Sequence, residues 1–167
     1  MNNIIRRHTK PAYKRCAFTG YRLAKMPFGF DEADPRCIEF KARLKDTIET
    51  LIGEGYAHFI SAGAQGMDMF AAEAVLELKE KYPWITLEMV SPFDAQVDHW
   101  NDEYRMRHDQ LFATADIVTA TGHEYTKAYM FRWPSPAQTC PEQPCSFYSS
   151  CSGHRYSNYV VQCGHSP

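Results

Sequence analysis

The segment His58-Phe59-Ile60-Ser61-Ala62-Gly63-Ala64-Gln65-Gly66-Met67-Asp68 joins two different periodicities. His58–Ser61 reads as a short strand, and a helical pattern runs from the second glycine to Lys81, where Pro83 stops it. Between them, two glycines three apart let the backbone turn tightly and approach a neighbour or a ligand. Strand, glycine turn and helix make the repeating unit of α/β folds, so the flanks decide how many such units the chain holds.

Both flanks repeat the unit. Upstream, Arg15-Cys16-Ala17-Phe18-Thr19 reads as a buried first strand ending at Gly20, followed by a loop with Pro27, Gly29 and Asp31. Asp34-Pro35 supplies an acceptor cap and a first-turn proline. Ile38, Lys41, Leu44, Ile48 and Leu51 then recur at helical spacing, with Lys41 snorkelling, until Gly53 and Gly55. Downstream, Ile85-Thr86-Leu87-Glu88-Met89-Val90 is a third strand ending at Ser91-Pro92. A polar, aromatic helix is expected over Val97 to Phe112, a fourth strand over Asp116–Ala120, and a further helix from Tyr125 to Phe131.

Strands alternating with helices imply right-handed crossovers onto a parallel sheet. The expected fold class is therefore α/β: a doubly wound, Rossmann-like parallel sheet with helices on both faces. Ligands of such sheets bind at the C-terminal strand edge. That rule selects three loops, Thr19–Arg22, Ser61–Asp68 and Ser91–Pro92.

The 167 residues, 44% hydrophobic with a formal charge of −2, suffice for one core and provide no global positive field for nucleic acid. No apolar run approaches the roughly 20 residues that span a bilayer, and Met1-Asn2-Asn3-Ile4-Ile5-Arg6-Arg7 lacks the apolar stretch of a secretory signal. A cytoplasmic, membrane-free chain is expected. Residues 1–12 read as a basic lead-in, solvated or weakly phosphate-attracting, and 13–132 as the domain.

Residues 133–167 differ in character, with one acid (Glu142), one base (Arg155), five of the ten prolines and four of the six cysteines. They read as coil. The spacings of Cys140, Cys145, Cys151 and Cys163 match none of the tight pairs of structural zinc sites, so no metal is expected. Cys16 and Cys37 sit in apolar patterns and read as buried small hydrophobes.

The Ser61–Asp68 turn lacks the glycine spacing of a dinucleotide fingerprint and the Gly-Lys-Ser/Thr of a P-loop. It reads either as a structural turn or as an anion-binding loop at a helix N-terminus. Asp68 would cap the helix in one case and accept from a ribose hydroxyl in the other. In Thr19-Gly20-Tyr21-Arg22, Arg22 is either a surface residue or a forked donor for phosphate. Adjacent first and second strands would set these loops side by side. Asp94, Asp98, His99, Asp102, Glu103, His108 and Asp109 read as the solvated face of a helix, with His99 and Glu103, or Arg105 and Asp109, on shared faces. Trp100, Tyr104 and Phe112 read as packing or as a base-stacking rim, and His123-Glu124 as a polar pair beyond the fourth strand.

Together, Cys16-Ala17-Phe18-Thr19-Gly20-Tyr21-Arg22, the Met26-Pro27-Phe28-Gly29-Phe30 loop and Ser61–Asp68 resemble the YpsA-like family, a bacterial domain of unknown function. That family belongs to the SLOG superfamily with DNA-processing protein A and the Lonely Guy phosphoribohydrolases. The resemblance spans Tyr13 to Arg132 and implies a Rossmann-like fold holding a nucleotide or nucleotide-derived ligand. Gly20 and Arg22 match the first motif, and Gly63, Ala64, Gly66 and Asp68 the second. Tyr21 departs from it, since relatives usually place histidine there. The proline-glycine-glycine loop of Lonely Guy enzymes is missing from the sequence, so their activity is not carried over. After Arg132 the resemblance stops where the composition changes; a shifted reading frame or a natural truncation would explain both. The expected consequence is an exposed sheet edge, covered by dimerisation or by the tail.

The expected ligand-binding residues are Thr19, Gly20, Arg22, Ser61, Gly63, Ala64, Gly66, Asp68 and Ser91. The leading expectation is nucleotide binding without assigned catalysis or cofactor. Cleavage of a nucleotide derivative would need a carboxylate from Asp68, Asp94 or Glu124. The remaining readings are single-stranded nucleic-acid binding, a regulatory interaction and homo-oligomerisation.

Overall fold

The computed structural model describes residues 14–92, 94–120 and 160–165. Its elements are β1 (Lys14–Thr19), α1 (Pro35–Gly53), β2 (Tyr56–Ser61), α2 (Met67–Lys81), β3 (Thr86–Ser91), α3 (Asp102–Thr114), β4 (Ile117–Ala120) and β5 (Val160–His165), with short 3-10 turns at Leu23–Lys25 and Asp94–Val97. The strand order is β4-β3-β2-β1-β5, with β1 to β4 parallel. This is an α/β, Rossmann-like sheet.

Local chemistry sets most boundaries. The Asp34 carboxylate accepts from the Arg36 N–H at 2.8 Å and Pro35 opens α1, as the sequence predicts. The buried stripe of α1 begins at Cys37 rather than at Ile38, which is 58% exposed. α3 starts at Asp102, not near Val97, because the Asn101 side chain accepts from the Tyr104 N–H at 3.0 Å and halts the helix there. His99 therefore precedes α3 and shares no helix face with Glu103.

Each strand from β1 to β4 is laid one place further in the same direction. With right-handed crossovers this places α1, α2 and α3 on a single face, where α2 packs between the other two. Against that face lie Phe18 and Phe59, stacked at 5.9 Å between centroids, with Leu87 and Met89. Among the described residues no helix lies on the other face, so the expected second helical layer is not formed by them. That face carries a polar ladder instead. His58 Nε2 lies 2.7 Å from Glu88 and the Thr119 hydroxyl donates to Glu88 at 2.7 Å. Burial would raise the Glu88 carboxyl, but Thr119 and His58 hold it below the ordinary range.

Beyond β1, the segment read as coil contributes β5, antiparallel to β1 with Cys16 opposite Cys163. The edge of β1 offers unpaired backbone groups, and pairing them outweighs the weak local preference of the tail. The helix expected at Tyr125–Phe131 and the cysteines at 140, 145 and 151 lie outside the described residues.

One charge cluster ties the helices together. Arg107 on α3 grips Glu73 on α2 through Nε and Nη2 at 2.7–2.9 Å, and its other nitrogen donates to Glu32. Lys41 on α1 and the Tyr104 hydroxyl reach the same Glu32. Burial pushes Glu32 up, yet the hydrogen bonds from Arg107 and Lys41 outweigh it and hold the carboxyl below its usual range. Arg107→Ala leaves both glutamates without their fork. It is expected to lower stability by about 2 kcal/mol, less than for a fully buried pair. Arg107→Lys should restore under half, since an ammonium cannot bridge both carboxylates. Urea titration of the two variants checks this.

Candidate ligand site at the C-terminal strand edge

Thr19, Ser61 and Ser91 each end a strand on the same edge of the sheet. The edge is stepped: Ser61 pairs with Met89, so Ser91 stands two residues further out. Because β1 and β2 are neighbours, the two glycine loops meet. Arg22 and Gly66 form an antiparallel backbone bridge, and the Met67 N–H donates to the Tyr21 carbonyl at 3.2 Å.

This contact explains two glycines. At Gly66, with φ +108°, an added Cβ would lie 2.5 Å from the Tyr21 oxygen and 2.9 Å from the Leu23 nitrogen. Both the conformation and the space exclude other residues. At Gly20 a Cβ would strike the Met67 side chain at 2.5 Å. Gly66 is also the N-cap of α2, where no side chain caps the helix.

The remaining residues of the second loop divide by task. The buried Ser61 hydroxyl donates to the Asp68 carbonyl at 2.7 Å and accepts from the Gly63 N–H at 3.2 Å, so it shapes the loop. The Ala64 N–H serves the Asp68 carboxyl and its carbonyl accepts from Met69. Asp68 lies in the first turn of α2 rather than at its cap. Burial pushes its carboxyl up to about 7, against the lowering effects of the nearby Arg22 guanidinium and the Ala64 N–H. Thr19 and Arg22 are exposed, and Ser91 is half-buried. Glu124 and His123 lie outside the described residues, and the side chain of Asp94 is not described.

The helix read as a solvated face adds residues that the sequence did not single out for this edge. His108 is buried at 9% exposure, whereas Asp102, Glu103 and Asp109 are exposed. A Cβ on Gly63 would meet Met89 at 2.8 Å, Phe112 at 3.0 Å and His108 at 3.4 Å, so α3 leans directly on the loop. Arg105 donates to the Val97 and Asp98 carbonyls, not to Asp109. Gln96, from the 3-10 turn, donates to the Ala62 carbonyl at 3.1 Å. The signal present in the sequence was the helical spacing of Trp100, Tyr104, His108 and Phe112.

No helix among the described residues is long and apolar enough to cross a membrane. The YpsA family model, described as the YspA SLOG family, matches residues 16–135. A UPF0398 protein of Bacillus pumilus is 30% identical over 125 residues, covering 75% of this chain and 63% of its own length. A counterpart from Oceanobacillus iheyensis is 32% identical over 115 residues, covering 68% of this chain and 61% of its own. A third, from Staphylococcus epidermidis, is 29% identical over 120 residues, covering 71% and 63%. The chain thus spans about three-fifths of the length of these relatives.

The raised Asp68 carboxyl sets a pH dependence. The folded protein retains a proton that the unfolded chain releases near its ordinary pKa of about 3.9. The stability Asp68 contributes is therefore full below about pH 4 and is lost as pH rises towards about 7. Asp68→Asn should flatten this decline in urea midpoints measured from pH 4 to 7. Glu32 and Glu88, held low, act in the opposite sense: their contribution is full above the ordinary carboxylate range and falls as pH drops through it, so they touch only the acid end of that window. An unchanged slope in the variant contradicts the assignment.

Proposed function

Because the chain belongs to the YpsA-type SLOG family, we propose that it binds a nucleotide or nucleotide-derived ligand against the Thr19–Arg22 and Ser61–Asp68 loops. The observation that carries this reading is the fused pair of loops at the strand edge, held at backbone contact by Gly66. Sheets of this type receive ligands at that edge. The N-terminus of α2, which no side chain caps although the Tyr21 and Ala64 carbonyls accept from its Met67 and Met69 N–H groups, brings a partial positive charge, and the exposed Arg22 adds a forked donor for phosphate. Asp68, poised near neutrality, accepts from or donates to a sugar hydroxyl. The buried thiols of Cys16 and Cys37 suit a cytoplasmic setting for this binding.

The test is a thermal-unfolding panel with AMP, ADP, ATP, NAD, ADP-ribose and ribose 5-phosphate. A ligand present at 100 times its Kd stabilises by about 2.7 kcal/mol, a shift of a few degrees. At least one phosphate-bearing compound is expected to produce it in a concentration-dependent way. Arg22→Ala removes an exposed side chain and should weaken binding about tenfold; its ligand-induced shift is read against its own unliganded Tm, because the guanidinium also lowers the Asp68 carboxyl. A panel that moves nothing refutes the reading.

A second reading, cleavage of the bound nucleotide derivative, is favoured by the Asp68 carboxyl alone, since a group titrating near 7 suits general acid–base work. Product analysis of the stabilising ligand after long incubation decides it. Turnover absent from Asp68→Asn but present in the parent supports it, and no turnover above background removes it.

A further inference from the structure

We infer that Gln96 and His108 form a second wall of this site, one that receives a neutral N–H or O–H donor carried by the ligand; the inference rests on the nucleotide-binding reading. Among the described residues, Gln96 Oε1 and His108 Nε2 are the buried side-chain polar atoms that have no hydrogen-bond partner. Buried polar groups are nearly always paired, so two orphans beside one loop call for a physical reason. Both flank the same peptide. Gln96 Nε2 donates to the Ala62 carbonyl, and a Cβ on Gly63 would lie 3.4 Å from His108 Cδ2.

The chemistry of the wall follows from the partners already taken. The bond to Ala62 fixes the orientation of the Gln96 amide, so its orphan is a carbonyl oxygen that can only accept. His108 Nδ1 faces the Asp109 carboxylate at 3.2 Å; in the neutral ring a proton on Nδ1 satisfies that contact and leaves a lone pair on Nε2. Rotation of the ring towards solvent is blocked by Phe112, 4.3 Å away between centroids, and by Trp100 at 5.6 Å edge-on. Two fixed acceptors with no donor between them disfavour a phosphate and suit a donor. Arg22, whose backbone bridges Gly66 at the start of α2, suits the phosphate. The anion is thus assigned to the Gly66 end of the loop, beside Arg22, and the donor to its Ala62–Gly63 end, beside Gln96 and His108.

A nucleotide carries such donors in two places, the amino group of adenine and the hydroxyls of its ribose. Binding of AMP, IMP, 2′-deoxy-AMP and ribose 5-phosphate separates them, since IMP replaces the amino group with an oxo group and the deoxy form lacks one hydroxyl. The parent protein is expected to prefer AMP over IMP, or AMP over its deoxy form, by about tenfold. His108→Phe keeps the ring stack and removes the acceptor. It should reduce that preference to about twofold and hold or raise the unliganded Tm, because an unmet buried acceptor is gone; ribose 5-phosphate binding stays intact where the preference is against IMP and weakens with it where the preference is against the deoxy form. Gln96→Met gives the parallel measurement on the other orphan.

Three outcomes overturn the inference. If His108→Phe lowers the unliganded Tm and leaves the preference unchanged, the orphans hold a structural water only. If the parent binds ribose 5-phosphate and Arg22→Ala weakens it, but AMP, IMP and deoxy-AMP bind alike, the wall falls and the nucleotide site stands. If no compound binds, both fall together.

Discussion

At Gly66 two loop backbones approach so closely that a methyl group would overlap both the Tyr21 carbonyl and the Leu23 nitrogen, and the candidate site depends on that contact. It fuses the loop after β1 to the loop after β2 and sets where α2 begins. It also brings Arg22 near Asp68, and so determines the charge that the Asp68 carboxyl experiences. Hydrogen bonds from Ser61 to the Asp68 carbonyl and from Gln96 to the Ala62 carbonyl then secure the second loop. A turn held in this way keeps its backbone and side-chain groups in one arrangement without a further entropy cost of ordering them.

The layers around that contact are unequal. The helical face is dry and aromatic, and its outer side is clamped by the Glu32–Arg107–Glu73 cluster, which joins the first loop to α2 and α3. The opposite face carries a His58–Glu88–Thr119 ladder of cross-strand partners. Strand β5 pairs with β1, while on the far side β4 leaves Ile117 and Val118 at 42% and 55% exposure. These differences follow from strand order, because a sheet laid in one direction receives its crossover helices on one side.

Several of these features were legible in the residues. Asp34-Pro35 announced the start of α1, the glycines at 63 and 66 announced a turn between β2 and α2, and Gly20 followed the first strand as expected. Others were hidden by their own chemistry. His108 among Asp102, Glu103 and Asp109 has the composition of a solvated helix, and only the lean of α3 on Gly63 puts it inside. Asn101 was a stronger stop than the aromatic periodicity running through Trp100. Glu88 and His58 lie thirty residues apart on strands that look apolar, so their pairing depends on register.

The sequence by itself determined the alternation of strands and helices, the parallel pairing that follows from it, and the edge on which the two glycine loops gather. Those outcomes depend on local period, caps and handedness, which short stretches carry within themselves. Tertiary structure alone decided that α1, α2 and α3 share one face, the antiparallel β5, the burial that raises Asp68, and the unpartnered Gln96 Oε1 and His108 Nε2 among the described residues. Each of these arises from contacts between residues far apart in the chain. Their energies depend on desolvation and register, quantities that exist only once the neighbours are in place.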